Sequence, residues 1–392
     1  MLKNKIITIP TYNSPEFVCD YQLQTAKTLA KNNHVFILLL KPEISLKQIL
    51  KNYVKNKKNN IFFKKNNIIF IKIRTCWLPF KRFKFIRKFN SSVNILILKL
   101  AHWLIRTKAK SKSQPILWIF YPYLYKITRR FKSYFMVYDI VDYHTSPDCK
   151  KNQRIRKNEK ILIKKADFVC INSNSLYQKF KKIKKNVPVV PLGFRIDYFK
   201  KPLKKLKLKL KKPTLGFIGN ISKRIDFNLC LKLIKGNPNW NLVFVGPKYR
   251  ELSVKNKINK LNQLLKYKNF KWIKKQPKEK IPAIIKQFDI CLIPYDTSEG
   301  FNKYSYPMKL FEYFYMGKPV VATPIEELRR FPKFVKISKN IKEWEKHIKS
   351  LLAKPWPEKY KKEQKKLAEQ NSWQKKIEAI SRTLEKYEKA NN

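Results

Sequence analysis

Acidic residues are scarce. Only 26 Asp and Glu accompany 89 Lys and Arg, which leaves a formal charge of +63 on 392 residues. A near-neutral surface is excluded, and polyanionic partners come forward: nucleic acid, an anionic membrane or phosphorylated substrates. Glycine is also rare, at 7 residues, while Lys, Asn, Ile and Phe abound. An AT-rich coding sequence would produce the same bias, so the charge alone names no function. The six cysteines, at positions 19, 76, 149, 170, 230 and 291, include no CxxC pair. Zinc and thioredoxin-like chemistry are therefore unsupported, and free thiols are expected. No apolar run reaches the ~18–20 residues of a membrane span. Val93–Ile105 is broken by Lys99 and His102, and Pro115–Tyr125 is short. The apolar stretch in MLKNKIITIPTY is too short for a signal peptide, so a cytoplasmic chain is expected.

What is present is a hydrophobic content of 44% with 14% aromatics, enough for a packed core. Its length fits two or three domains. Short apolar runs alternate with helical patterns, which points to parallel sheets covered on both faces. Strands are expected at Ile6–Ile9, Val35–Leu40, Ile68–Ile71, Ile116–Phe120, Phe135–Asp139, Phe168–Asn172 and Val187–Pro191, with a helix at Asp20–Lys31. Lys200–Pro213, with eight Lys and two Pro, reads as a solvated linker, although its LKLKL could open an edge strand. A second α/β unit follows from Thr214. The chain then ends in a helix with the stripe Trp373, Ile377, Ile380, Leu384 and Tyr387. The boundaries drawn are 1–200, a linker at 201–213, 214–365, and a final helical segment at 366–392.

Two segments carry chemistry. TLGFIGNISKRIDF is a strand, a glycine turn with Gly216 and Gly219, two cations at Lys223 and Arg224, then a helix. A glycine turn before a helix start suits a phosphate, though such turns are common in α/β folds. In YSYPMKLFEYFYMGKPVVATP, Lys309 and Glu312 share a helix face three residues apart. The lysine could meet a phosphate and the carboxylate a diol. An ordinary Lys–Glu surface pair is the competing reading. Asp139, Asp142 and His144 cluster in YDIVDYH after an expected strand, where open α/β sheets bind ligands. There Asp142 could equally cap a turn.

The Tyr304–Pro324 segment resembles the donor-site helix of GT-B glycosyltransferases, the large group that includes bacterial cell-surface polysaccharide enzymes. IPTYN before a helix ending in NNHVFILLL looks like that group's first strand and helix. ILWIFYPYLY…VYDIVDYH is similar to its teichuronic-acid-type members. VPVVPLGFRIDYF resembles the end of the N-terminal domain, with Leu192 where an Asn usually precedes Gly193. Asn371–Trp373 fits the start of the last helix.

The resemblance implies an α/β GT-B fold of two Rossmann-like domains across a cleft. The upstream domain would hold the acceptor and the downstream domain the nucleotide-sugar, with the last helix crossing back upstream. Glu312 would match the second Glu of a Glu–x7–Glu motif and hold the donor ribose. Gly219, Asn220, Lys223 and Arg224 would lie at the diphosphate, assisted by Lys309 and Leu310. Tyr304, Ser305, Tyr306 and Pro307 would pass close to diphosphate and sugar, and Trp272, Ile273 and Lys274 would flank the base. The first motif Glu is missing: Tyr304 stands eight residues before Glu312, and Glu299 lies thirteen before it. Glu299 is the candidate replacement.

No cofactor and no metal are expected, since no His, Asp and Glu cluster has ligand spacing. Cations must then meet the leaving diphosphate. Asp142 is the first candidate base and His144 the second if configuration inverts. Arg74–Lys110 holds ten Lys or Arg, no acid, and the aromatics Trp77, Phe80, Phe83, Phe85, Phe89 and Trp103. That mixture suits peripheral contact with an anionic membrane presenting a lipid-linked acceptor. The competing reading is a packed helix pair with a charged outer face. Two functional rivals stand beside transfer to a glycan or lipid-linked acceptor. One is a nucleotide-sugar 2-epimerase on the same fold. The other is a basic nucleic-acid-binding protein, which no zinc-finger, RRM or helix-turn-helix signature supports.

Overall fold

The computed structural model describes residues 2–12, 20–41, 62–74, 84–109, 114–125, 131, 133–146, 153–203, 206, 208–248 and 255–391. Cys19, Cys76, Cys149, Trp77, Phe80 and Phe83 lie outside them. Cys170, Cys230 and Cys291 are buried free thiols.

The upstream domain runs β1 (Ile6–Thr11), α1 (Asp20–Leu29), β2 (His34–Lys41), β3 (Phe62–Lys65), β4 (Ile68–Arg74), α2 (Lys84–Ala109), β5 (Ile116–Ile119), β6 (Phe135–Ile140), α3 (Gln153–Lys165), β7 (Phe168–Ile171) and α4 (Asn174–Phe180). The strands pair in the order β3-β4-β2-β1-β5-β6-β7. All ladders are parallel except β3 with β4. Asn66 and Asn67, with φ of 51° and 59°, make the two-residue turn of that hairpin. Asparagine tolerates the left-handed region such a turn needs. Every residue of β1 and β5 is buried, as a sheet covered on both faces requires.

The downstream domain runs β8 (Thr214–Ile218), α5 (Phe227–Gly236), β9 (Asn241–Val245), α6 (Lys255–Leu264), β10 (Phe270–Ile273), α7 (Ile281–Lys286), β11 (Ile290–Ile293), α8 (Gly300–Lys303), α9 (Lys309–Tyr315), β12 (Val320–Ala322) and β13 (Val335–Ile337). Three helices follow: α10 (Ile341–Ala353), α11 (Glu358–Gln370) and α12 (Trp373–Asn391). The sheet order is β10-β9-β8-β11-β12-β13, all parallel. In both sheets the order reverses between two central neighbours, β1 and β5 upstream and β8 and β11 downstream. Such a reversal opens a crevice beyond the strand ends.

Two expectations change. Val187–Pro191 is no strand: it forms one bridge, Val189 to Ile171. Pro188 and Pro191 have no N–H to extend a ladder. The Lys-rich linker is not simply solvated either. Leu206, Leu208 and Leu210 pack against the core. The Gln287 amide braces the segment, accepting from Leu208 N and donating to Leu206 O, each at 2.8 Å. Alternation places the leucines inward and leaves Lys209 and Lys211 exposed.

The chain then returns upstream. Phe194 N donates to Asn371 O at 2.9 Å, and Phe194 bridges to Ser372. A Cβ on Gly193 would lie 2.4 Å from the Trp373 backbone, so only glycine permits this crossing. Helix α12 packs against α1. Its Lys376 Nζ donates to Asp139 Oδ1 at 3.0 Å, with both side chains fully buried. Asp139 is thereby a structural residue, apart from the other acidic candidate of its cluster. Replacing Lys376 by Met would strand a buried carboxylate. We expect a loss of about 3–5 kcal/mol in urea unfolding, most of it recovered in Lys376→Met/Asp139→Leu.

Candidate active site

The downstream crevice is built on two glycine turns. Gly219 ends β8 with φ +147° and Gly246 ends β9 with φ +153°. Gly219 N donates to Val245 O and Gly246 N to Ile273 O, both at 3.0 Å. A Cβ on Gly246 would sit 1.9 Å from Gly219 O, and one on Gly219 would sit 2.7 Å from Lys309 Nζ. The turns therefore pack directly on each other, with the Lys309 ammonium beside them.

Lys309 Nζ lies 3.8 Å from the Phe217 ring centre and 4.7 Å from that of Tyr295. The Arg224 guanidinium lies 4.5 Å from the Tyr295 ring and 5.1 Å from Phe301. Its Nε donates to Asn302 Oδ1 at 2.8 Å. Aromatic faces hold both cations without neutralising them. Burial opposes ionisation of the Tyr295 hydroxyl, but Lys309 and Arg224 outweigh it and bring its pKa below the ordinary value. Burial in turn lowers the pKa of Lys309, partly offset by Tyr295. The basic loop is clamped in place. Asp296 N donates to Arg224 O at 2.8 Å. Lys257 Nζ donates to Asp296 Oδ2 at 2.9 Å and also to Lys223 O.

Glu312 closes no ion pair with Lys309, although the two interact electrostatically. Burial raises the Glu312 pKa, while Lys278 and Lys309 pull it down. The carboxylate borders a hollow of about 30 Å³, lined also by Asp20, Arg195, Tyr198, Lys278 and Met308. Arg195 and Asp20 come from upstream of the linker and stand 3.7 Å apart.

The upstream crevice faces this edge. Tyr12, after β1, stacks on Tyr123 at 5.7 Å, and Tyr123 on Tyr121 at 4.9 Å. Tyr21 Oη donates to Tyr121 Oη at 2.5 Å. The His144 ring lies 5.3 Å from Tyr121. Burial lowers the His144 pKa against the pull of Asp142. His144 Nε2 has no hydrogen-bond partner among the described residues. Burial raises the Asp142 pKa, opposed by His144 and by Arg224 of the other domain. A candidate base and a candidate anion-binding cation thus share one electrostatic environment. Tyr143 meets the edge of Tyr304 at 5.8 Å, and Lys179 lies 4.2 Å over the same ring. Glu327, in the downstream domain, accepts from Ser175 N at 3.2 Å.

The remaining sequence candidates fall into two groups. Near the glycine turns, Trp272 Nε1 donates to Gly246 O at 2.9 Å, followed by half-buried Ile273 and exposed Lys274. Asn220 is exposed and Lys223 half-buried beside Gly219. Glu299 precedes α8, its carbonyl accepting from Asn302 N and Lys303 N at 3.0 Å. Three other side chains turn into the fold. Leu310 is core, Ser305 Oγ donates to Asn302 O at 2.9 Å, and Tyr306 Oη donates to Asn371 Oδ1 at 3.3 Å. Pro307 is buried beside them. Only the backbone of these residues is left for a ligand.

Sequence reasoning missed Tyr295, Asn302, Gly246 and Arg195. Gly246 carried a signal, being a rare glycine just after an apolar strand. The others depend on contacts distant in the chain.

Residues 199–371 match the family model of glycosyl transferases group 1. The match covers 173 of the 392 residues. A putative teichuronic acid biosynthesis glycosyltransferase, TuaH, of Bacillus subtilis (strain 168) is 27% identical over 187 residues. That match spans about half of the relative's length, 46% of each chain. Solved structures share the fold over nearly the whole chain. Sucrose-phosphate synthase from Thermosynechococcus elongatus superposes with a TM-score of 0.73 at 13% identity, covering 98% of this chain and 100% of its own. Anabaena Alr3699/HepE in complex with UDP gives 0.68 at 13% identity, with 97% and 100% covered. Trehalose-6-phosphate synthase OtsA gives 0.69 at 11%, with 97% and 99% covered. The fold is GT-B, as the motif resemblance implied.

One electrostatic prediction is independent of any substrate. In Lys309→Met the Tyr295 hydroxyl loses the cation that lowers its pKa most, so its pKa rises and less phenolate forms at a given alkaline pH. The difference between ultraviolet titrations of each protein and its Tyr295→Phe counterpart measures this.

Proposed function

We propose that the chain transfers a glycosyl group from a nucleoside-diphosphate sugar to a carbohydrate-bearing acceptor. The supporting observation is the convergence of the Gly219 turn, Arg224, Lys309 and Glu312 on one sheet edge, within the segment that matches the glycosyl transferases group 1 family. Cleavage of the sugar–phosphate bond leaves negative charge on the diphosphate. Arg224, Lys309 and Lys223 are the cations placed to meet it. Glu312 accepts hydrogen bonds from the ribose hydroxyls. Trp272, Ile273 and Lys274 flank the base, and Glu299 takes the role of the missing first Glu toward the donor sugar. UDP-sugars are the first donors to test, because the HepE structure of this fold was obtained with UDP. The TuaH relative favours a role in cell-surface polysaccharide synthesis.

The acceptor sits upstream, where the Tyr12–Tyr123–Tyr121 stack offers flat apolar faces to a sugar ring and polar hydroxyls at its rim. In an inverting transfer Asp142 takes the proton of the attacking hydroxyl, with His144 as second candidate. In a retaining transfer both bind donor sugar or acceptor.

A thermal-shift screen of UDP-, GDP- and ADP-sugars tests the donor. A bound donor raises the melting temperature by linkage, and Glu312→Ala abolishes the rise without unfolding the protein. An unchanged rise in Glu312→Ala removes the ribose assignment. For an inverting enzyme, Asp142→Asn retains the donor shift but loses about 10²–10⁴-fold in turnover. The raised Asp142 pKa puts the acidic limb of the rate profile above the ordinary carboxylate value of about 4, with rate falling as pH drops through it. Interconversion of the sugar without acceptor would instead mark an epimerase.

A further inference from the structure

Helix α2 has two apolar faces. One is buried: Leu98, Ala101, Ile105 and Ala109 belong to the upstream core, and the His102 ring meets Tyr134 edge-on at 5.0 Å. The other faces away from it. Phe85, Phe89, Leu96, Leu100 and Trp103 remain between 49% and 69% exposed. At 3.6 residues per turn they fall within about 60° of one another, roughly opposite the buried set. From Phe85 to Trp103 the stripe runs about 27 Å at 1.5 Å per residue. Among the described residues the other exposed large apolar side chains, Leu203, Leu265 and Tyr387, are less exposed, at 40–47%, and scattered. The concentration on one helix face is therefore specific. It replaces the charged outer face that the composition of this segment had allowed.

The charge of α2 identifies what covers the stripe. The helix contains six Lys or Arg and no acid. By helical position Lys99 and Arg106 follow one border of the stripe. Two copies meeting through this face would bring the Lys99 and Arg106 borders together with no acid on either helix, which disfavours self-association. Nucleic acid would require cations at the centre of the patch, where Leu96 and Leu100 lie instead. A helix with a line of Phe, Leu and Trp bordered by cations matches the interface of an anionic bilayer. No helix among the described residues is long and apolar enough to cross a membrane, so this contact lies along the surface.

We propose that the outer face of α2 is a lipid-docking surface, seating Phe85, Phe89, Leu96, Leu100 and Trp103 in the headgroup region of an anionic membrane. This inference does not rest on the transferase reading. It places the upstream domain, with its tyrosine stack, on the membrane.

The test is sedimentation of the full chain with vesicles of phosphatidylcholine, with and without phosphatidylglycerol. Binding to the anionic vesicles is expected. Leu96→Gln/Trp103→Gln should weaken it by about tenfold or more, whereas Leu265→Gln, at an exposed apolar site downstream, leaves it unchanged. Unaltered melting temperatures check the folds, and Leu100→Gln alone provides a milder variant. Vesicles containing brominated phosphatidylcholine should quench the wild-type fluorescence more than that of Trp103→Phe. Equal vesicle binding by the double variant and Leu265→Gln would reduce the contact to general charge adsorption and overturn the proposal. So would a wild-type dimer that the double variant dissolves without lipid. Loss of binding to a DNA duplex in the double variant, with vesicle binding intact, would assign the face to nucleic acid and also overturn it.

Discussion

Arg224 and Lys309 are held by aromatic rings and an amide oxygen rather than by carboxylates. A ring face positions a cation while leaving its charge unspent. Many lysines among the described residues are simply exposed, so their number says little about a site. These two differ because Tyr295, Phe217, Phe301 and Asn302 fix where they stand. The Gly219 and Gly246 turns depend on the same arrangement: a Cβ at either would displace the Lys309 ammonium or the neighbouring carbonyl.

The two domains answer each other across this edge. Asp142 feels Arg224, Tyr304 lies between Tyr143 and Lys179, and Glu327 receives the Ser175 amide. Each sheet contributes the ends of strands flanking its own reversal of order. That topology brings Tyr12 beside Tyr123 and Gly219 near Tyr295, although the members of each pair are far apart in the chain. A candidate base on one side and a candidate anion-binding cation on the other are thereby supplied by two similar halves.

Much of the fold was legible because buried parallel strands are written as unbroken apolar runs. Ile6–Thr11, Phe168–Ile171 and Ile290–Ile293 are examples. The Val187–Pro191 run failed because an apolar run reports burial, while a ladder also needs N–H groups that two prolines lack. The β3–β4 hairpin was missed even though Asn66–Asn67 marks its turn, since the lysines of Phe62–Lys65 mask an edge strand. At the site, Gly219, Arg224, Lys309 and Glu312 were visible in local motifs. Asn302 and Tyr295 were not, because their importance comes from holding a residue about seventy to eighty positions earlier. Ser305, Tyr306 and Leu310 turn their side chains into the fold, a direction that membership of a motif does not reveal.

The return of the chain at Gly193 and Asn371, ending in the buried Lys376–Asp139 contact, makes the upstream half discontinuous in sequence. Residue 200 is therefore not a cut point. A chimera exchanging upstream halves between relatives has to carry both the leading segment and the matching tail. A graft of the leading segment alone would import Asp139 without the ammonium that accompanies it, so the two parts behave as a linked pair rather than interchangeable modules.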